Sequence, residues 1–339
     1  MATLPTFGLW YDFRNPAPWR RPFGRMYADY LDQIANAEAL GFGSVWLTEH
    51  HFLDDGYLPS PLIMASAIGQ RTRRMRIGTD LMVLPLHDPV RIAEDAAVLS
   101  LVTGGRFDLG VGLGYKEAEF AQFGRSIKHR PSLIEESVEI LRRAWAGETI
   151  DVQGKRFTIN NHAITPHPET VPQILLGGIA PPAIERAARI ADGFLPSGEN
   201  GIDHYLQCVA DLGRDPAEAR IMHGSWAIIA PDPEAEAERI GPHILYQINQ
   251  YRQWGAWGPP ENSPPFATAR EAIEGSLYQL WDAEAAVTHL QRLIDRYPQI
   301  RDIHFWAQLP GESVESGQRR LDYIATSVLP RLRPTAARP

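Results

Sequence analysis

Short runs of branched and aromatic apolar residues alternate along this chain with longer stretches whose apolar positions recur every three or four residues. The short runs at 7–13, 44–48, 76–84, 106–111, 173–176, 193–195, 221–229 and 300–306 read as strands. The periodic stretches at 27–40, 61–71, 89–101, 132–146, 182–190, 202–212 and 314–329 read as helices, the third opened by Asp88 as cap and Pro89 as first helical residue. A surface hairpin is expected across 149–159, turning at Gln153 and Gly154. Eight strand–helix units in 339 residues leave about 42 residues each, above the ~30 of a bare unit. The class is therefore α/β, as a single (β/α)8 TIM barrel with insertions. The reading places one barrel domain at 1–332, an insertion at about 241–275 carrying Trp254, Trp257 and a proline-rich stretch, and a C-terminal tail at 333–339. Loops of that length commonly serve as lids or subunit contacts.

Composition narrows the functional classes. The chain is 44% hydrophobic and 22% charged with net charge −8, which offers no basic surface for a polyanion and so argues against nucleic acid as a partner. The single cysteine, Cys208, cannot form an internal disulfide, which suits a reducing compartment. No apolar run approaches the ~18 residues of a membrane span, and residues 1–10 lack the basic and apolar regions of a signal peptide. A cytoplasmic location with no membrane contact is the expectation.

In a parallel barrel the chemistry sits at the C-terminal ends of the strands. Those ends deliver Tyr11 and Asp12, then Glu49, His50 and His51, then Thr79 and Asp80, then Gly112, Gly114 and Tyr115, then Gly177 and Gly178, and finally Trp306. Aromatics, histidines and glycines suit a flat cofactor with a phosphate tail better than a carboxylate-lined metal cage. Adjacent histidines at a strand end point to opposite faces, so one of His50 and His51 faces the mouth. Its alternative is a packed structural role. A metal site built from Glu49, His50, Asp80 and His87 finds no HxH or HExxH spacing to support it. The run Gly110 to Gly114 lacks the spacing of a dinucleotide fingerprint, but its glycines would let a ring system approach the backbone. The strand, glycine turn and proline-bearing helix start from Ile174 to Pro182 can bind a terminal phosphate through Gly177, Gly178 and Ile179, with Arg130 as a bidentate partner. A plain strand-to-helix turn and a surface arginine are the alternatives.

Together these segments resemble the bacterial luciferase-like flavin monooxygenase family. The resemblance rests on Ile77-Gly78-Thr79-Asp80-Leu81-Met82-Val83-Leu84-Pro85, on Asp88-Pro89-Val90-Arg91-Ile92-Ala93-Glu94-Asp95 and on Gly105-Arg106-Phe107-Asp108-Leu109-Gly110-Val111-Gly112. Glu49-His50-His51-Phe52, Ala191-Asp192-Gly193 and Val328-Leu329-Pro330 are similar to further family segments, whereas 212–280 matches poorly. The resemblance implies an FMN-dependent monooxygenase: FMN arrives reduced from a partner flavin reductase, O2 adds to give a C4a-peroxyflavin, and a hydrophobic organic substrate is oxygenated. It implies His50 as catalytic residue. It places Glu49, Thr79, Asp80, Gly112, Arg130, Gly177, Gly178 and Ile179 at the cofactor, and a non-proline cis peptide at Asp80-Leu81. Trp10, Tyr115 and Trp306 are the expected substrate-pocket residues, and a homodimer packed through the second and third helices is the expected assembly. Gly112 and Leu113 stand where light-emitting members carry cysteine and arginine, which argues against light emission and removes one phosphate contact. The alternatives are an F420-dependent oxidoreductase of the same superfamily, a metal-dependent hydrolase on the same scaffold, and a flavin-binding protein without catalysis.

Overall fold

In the computed structural model, which describes residues 4–334, each expected strand forms, and all eight run parallel. They are β1 (Thr6–Tyr11), β2 (Ser44–Leu47), β3 (Arg76–Thr79), β4 (Phe107–Gly112), β5 (Ile174–Gly177), β6 (Gly193–Leu195), β7 (Ile221–Ser225) and β8 (Ile300–Trp306). Each pairs with the next and β8 returns to β1, so the sheet closes without an edge. The surrounding helices are α1 (Phe23–Ala39), α2 (Pro61–Arg71), α3 (Pro89–Thr103), α4 (Arg130–Trp145), α5 (Pro181–Ile190), α6 (Ile202–Asp211), α7 (Ala283–Arg296) and α8 (Val314–Tyr323). Burial explains why the patterns resolve this way. β2 is buried at all four positions, and α1 turns Met26, Tyr30, Ile34 and Ala37 onto the barrel at steps of three and four. The Asp88 carboxylate accepts from the amides of Val90 and Arg91, satisfying two orphan donors of α3, and Gly104 ends that helix in a left-handed conformation.

Three segments depart from the periodic reading. β3 halts at Thr79, passes through a cis Asp80–Leu81 peptide and resumes as Met82–Val83 against Val111 and Gly112. β7 ends at Ser225, and Ala227–Ile229 leaves the barrel to pair with Gln279–Trp281. The insertion is also wider than 241–275, because one helix of 22 residues runs from Pro233 to Trp254 with Pro242 inside it. A proline in a helix interior costs about 3 kcal/mol, but Ile240, Ile244, Ile248 and Tyr251 form one buried stripe, and each such side chain recovers roughly 1.5–3 kcal/mol. The hairpin pairs Thr149–Gln153 with Thr158–Ala163, longer than the span expected. α8 stops at Tyr323 and continues as a π turn over Ile324–Val328. Of the tail, residues 335–339 lie outside the described residues. No helix among the described residues is long and apolar enough to cross a membrane.

The Thr79 hydroxyl ties β3 to β4, donating to the Gly110 carbonyl at 2.6 Å and accepting from the Gly110 amide at 2.9 Å. A Cβ at Gly110 would fall 1.8 Å from the backbone oxygen of Thr79. Gly110→Ala is therefore expected to lower the unfolding free energy by about 3 kcal/mol, read by urea denaturation. An unchanged midpoint would contradict this packing.

Candidate active site

A cavity of about 350 Å³ opens at the C-terminal ends of the strands. Its apolar wall comes from Trp10, Leu81, Val83, Leu113 and Leu195, and the insertion contributes Tyr251, Ala256 and Trp257. Leu81 lies between β4 and β5. A Cβ on Gly112 or on Gly177 would each come within 2.5 Å of its methyls, so those two glycines make room for Leu81. Trp10 stacks on Trp306 with centroids 4.5 Å apart, Trp226 meets Trp306 edge-on at 5.4 Å, and the Trp10 indole donates to the Asp80 carbonyl at 2.9 Å. Aromatic rings that pack on one another are held rigid and exclude water from what they enclose.

His50 lines this cavity and His51 turns away from it. The His50 Nδ1 lies 2.9 Å from Oε1 of Glu119, a buried residue of the short helix Glu117–Gln122, and that same oxygen accepts from the His51 amide at 2.8 Å. A carboxylate can only accept, so Nδ1 carries the hydrogen. A neutral ring then accepts at Nε2, where the Tyr115 hydroxyl donates at 2.8 Å. Burial works to raise the Glu119 pKa, but the His50 and His51 hydrogen bonds and the Lys116 ammonium outweigh it and hold the group below the usual carboxylate value. Burial pushes the Tyr115 phenol well above its usual range, so the hydroxyl keeps its proton.

The Glu49 carboxylate is spent on structure. Its Oε1 faces His87 at 2.7 Å and His51 at 3.1 Å, and Oε2 accepts from the Val83 amide at 2.5 Å. Burial opposes ionisation, but the two histidines prevail and lower its pKa to about 2. Among the described residues, Glu49, His51 and His87 bring three ligand atoms within 4.8 Å of one another. The set Glu49, His50, Asp80 and His87 considered from the sequence does not assemble, since His50 and Asp80 belong to separate networks.

Asp80 borders the cavity and leads to a network that strand-end reasoning missed. Its Oδ2 lies 2.9 Å from His304 Nε2, and His304 Nδ1 lies 2.9 Å from Asp302 Oδ1. Asp302 also accepts from the Trp46 indole at 2.8 Å and the Ser44 hydroxyl at 2.5 Å. Burial alone would depress the His304 pKa, yet the two carboxylates raise it to about 9, so an imidazolium is locked inside the barrel at neutral pH. For Asp80, burial raises the pKa and His304 only partly offsets it. His304 sits in mid-strand on β8, where a buried histidine gives no pattern of its own.

At the far end of the cavity, Gly178, Ile179 and Ala180 form the turn from β5 into α5. Pro181 and Pro182 have no N–H, and the amides of Ala183 and Ile184 fold back onto the Ala180 carbonyl at 2.8 and 3.2 Å. The amides of Ile179 and Ala180 have no acceptor among the described residues, which is what an anionic group at a helix start requires, while that of Gly178 is turned to Leu195 by the strand pairing. Arg130, first residue of α4, reaches the same cavity and donates from Nη1 to the Gly114 carbonyl at 2.8 Å. A ring-sized apolar wall ending in open amides and an arginine fits a flavin phosphate. Of the residues assigned from the sequence to catalysis, cofactor or substrate, Thr79 alone does not line the cavity, its hydroxyl being used between the strands; Tyr11, Asp12, His51 and His87 also lie outside it.

A closed parallel barrel with a positioned imidazole and an anion-ready turn at its mouth narrows the class, and sequence comparison supplies the family. The chain belongs to the luciferase-like monooxygenase family, whose sequence model matches residues 6–302. The family's members are oxidoreductases. Among curated relatives, the F420-dependent glucose-6-phosphate dehydrogenase of Amycolatopsis mediterranei is 29% identical over 199 residues, 56% of this chain and 60% of that protein. The chain spans about half the length of the curated relatives it matches. Monooxygenase RslO1 from Streptomyces bottropensis superposes with a TM-score of 0.79 at 22% identity, covering 96% of this chain and 99% of the other. The FMN-bound oxygenating constituent of 3,6-diketocamphane monooxygenase from Pseudomonas putida gives 0.78 at 18% identity, covering 98% and 100%. At these identities the two structures establish the fold.

The His304 network carries a pH signature. A histidine raised from 6.5 to about 9 adds stability that is complete below about 6.5 and disappears as pH rises through about 9. The stability deficit of His304→Gln, measured by urea unfolding, is thus expected to be largest near pH 6 and to shrink by pH 10. A deficit independent of pH would contradict the double ion pair.

Proposed function

We propose that the protein is a flavin-dependent monooxygenase that uses reduced FMN and O2 to oxygenate a hydrophobic organic substrate, with His50 as its acid–base residue. The observation that carries this reading is the Tyr115–His50–Glu119 chain of hydrogen bonds, opening into an aromatic-walled cavity that ends in unspent amides. When bound, reduced FMN would supply two electrons to O2, so that one oxygen atom enters the substrate and the other leaves as water. The turn at Gly178, with the free amides of Ile179 and Ala180 and with Arg130, would hold its phosphate. Leu81 and Trp10 would support the ring, and Asp80 would stand beside it as an acceptor oriented by His304. Tyr115, Trp306 and the insertion's Trp257 would enclose the substrate and exclude water. His50 would receive or return a proton at Nε2, through the Tyr115 hydroxyl or in its place, while Glu119 keeps Nδ1 protonated and the ring aligned. A flavin reductase would supply the reduced cofactor. A homodimer formed through α2 and α3 is part of this reading, because Ile63, Val98, Leu101 and Val102 project from those helices into solvent; sedimentation at two concentrations reads it.

The relatives favour one competing reading, an F420-dependent oxidoreductase that transfers hydride without O2. Titration with each cofactor under anaerobic conditions, followed by oxygen uptake with substrate, separates the two. FMN binding with coupled O2 consumption supports the first; F420 binding with none overturns it.

His50→Asn is expected to lower turnover about 10²-fold while cofactor affinity stays within twofold, because a positioned acid–base group contributes on that scale. Glu119→Gln retains shape but lets the ring choose its tautomer, so it is expected to lower turnover about tenfold and to displace the pH–rate profile. Equal loss of cofactor binding in both variants would make the pair structural.

A further inference from the structure

A second cavity of about 350 Å³ lies on the other side of Ser197 and Trp226, residues that line both cavities. Nothing in the reading above uses it. Its polar lining comes from Glu199 and Asn200 after β6, His223 and Ser225 on β7, Gln279 on the short strand paired with Ala227–Ile229, and Arg292 on α7. Trp281 adds a flat apolar wall, its ring stacked on His289 at 4.9 Å and 11°. His223 is 6% exposed, its Nδ1 has no partner, and burial lowers its pKa to about 4, so it stays neutral.

The charges of this chamber are already satisfied. Arg292 forks onto Glu199 at 2.5 and 3.1 Å, and neighbouring Arg296 pairs with Asp203 at 2.8 Å. An incoming anion would have to displace a bidentate carboxylate and sit against its charge. What remains on offer is a mixture of donors and acceptors from amide, hydroxyl, imidazole and carboxylate groups around indole faces. That set matches a ligand whose groups both donate and accept and whose ring carries exposed C–H faces, without net charge.

We propose that this chamber is a second binding subsite, for an uncharged hydroxyl-rich ring such as a glycosyl group joined to an apolar body, and that Glu199 keeps phosphorylated rings out by occupying Arg292. The apolar body would extend past Trp226 into the first cavity; that placement rests on the reading of the first cavity as the substrate site.

The test is calorimetric titration of the full chain with phenyl β-D-glucoside, D-glucose and D-glucose 6-phosphate. The aryl glucoside is expected to saturate and to bind more tightly than glucose, because one molecule then engages both cavities, while the phosphate gives no saturable heat. Trp281→Ala and Gln279→Ala are each expected to weaken the glucoside about tenfold, as loss of about 1.4 kcal/mol of contact would do. Glu199→Gln should release Arg292 and bring in binding of the 6-phosphate. Absence of saturable heat from both neutral ligands, glucoside binding unaffected by both chamber variants, or wild-type binding of the phosphate as tight as the glucoside overturns the subsite. The titration needs no redox cofactor. A blank result therefore removes the subsite alone, whereas failure of FMN and F420 to bind removes the oxidoreductase reading and leaves the titration interpretable.

Discussion

One hydrogen bond organises the mouth of this barrel: the contact between His50 Nδ1 and the buried carboxylate of Glu119. A neutral imidazole has one donor and one acceptor, and whichever nitrogen faces a carboxylate must be the donor. The other nitrogen is thereby committed to accept, and it is the one that meets Tyr115. The carboxylate also binds the His51 amide, so the same contact holds the end of β2 against the loop that follows β4. Its second oxygen has no partner among the described residues, and Lys116 stands 3.6 Å from the first. A charged group this buried, left partly unsatisfied, is tolerated where position matters more than stability.

Beneath and beside that contact, two further networks do separate work. Glu49 gathers His51, His87 and the Val83 amide, tying the end of β2 to the segment that resumes β3. The Asp302–His304–Asp80 chain crosses the barrel interior from β8 to the end of β3. Adjacent residues just past the end of β2 thus serve different purposes: the His50 ring faces the cavity while the Glu49 carboxylate and the His51 ring brace the wall. Leu81 shows the same economy, filling the space that glycines on β4 and β5 leave open.

How far all this was legible follows from how local each cause is. The spans Ser44–Leu47 and Gly193–Leu195 are short, largely apolar runs bounded by polar or breaker residues, and they form as the pattern reads. His50, Arg130 and the Gly177–Ile179 turn sit at strand or helix ends, where topology alone directs them to one rim. Glu119 carries no such signal, because it lies 69 positions beyond His50 on a six-residue helix. The one available hint was its place in the acidic and aromatic run after Gly114. His304 and Asp302 form their partnership through a closed sheet, and no periodicity marks a buried ion pair. Pro242 hid the insertion helix, since a Gly-Pro pair reads as a stop and only tertiary burial of the isoleucine stripe overrides it.

The account stands on the tautomer of His50. Nitrogen NMR of the protein carrying 15N-labelled histidine reads it directly, with His50→Asn used to assign the ring. In the neutral ring the hydrogen is predicted on Nδ1, with Nε2 showing the shift of an unprotonated acceptor. A ring protonated at Nε2 alone would contradict the account, because Glu119 would then lose the His50 donor and the Tyr115 hydroxyl its acceptor.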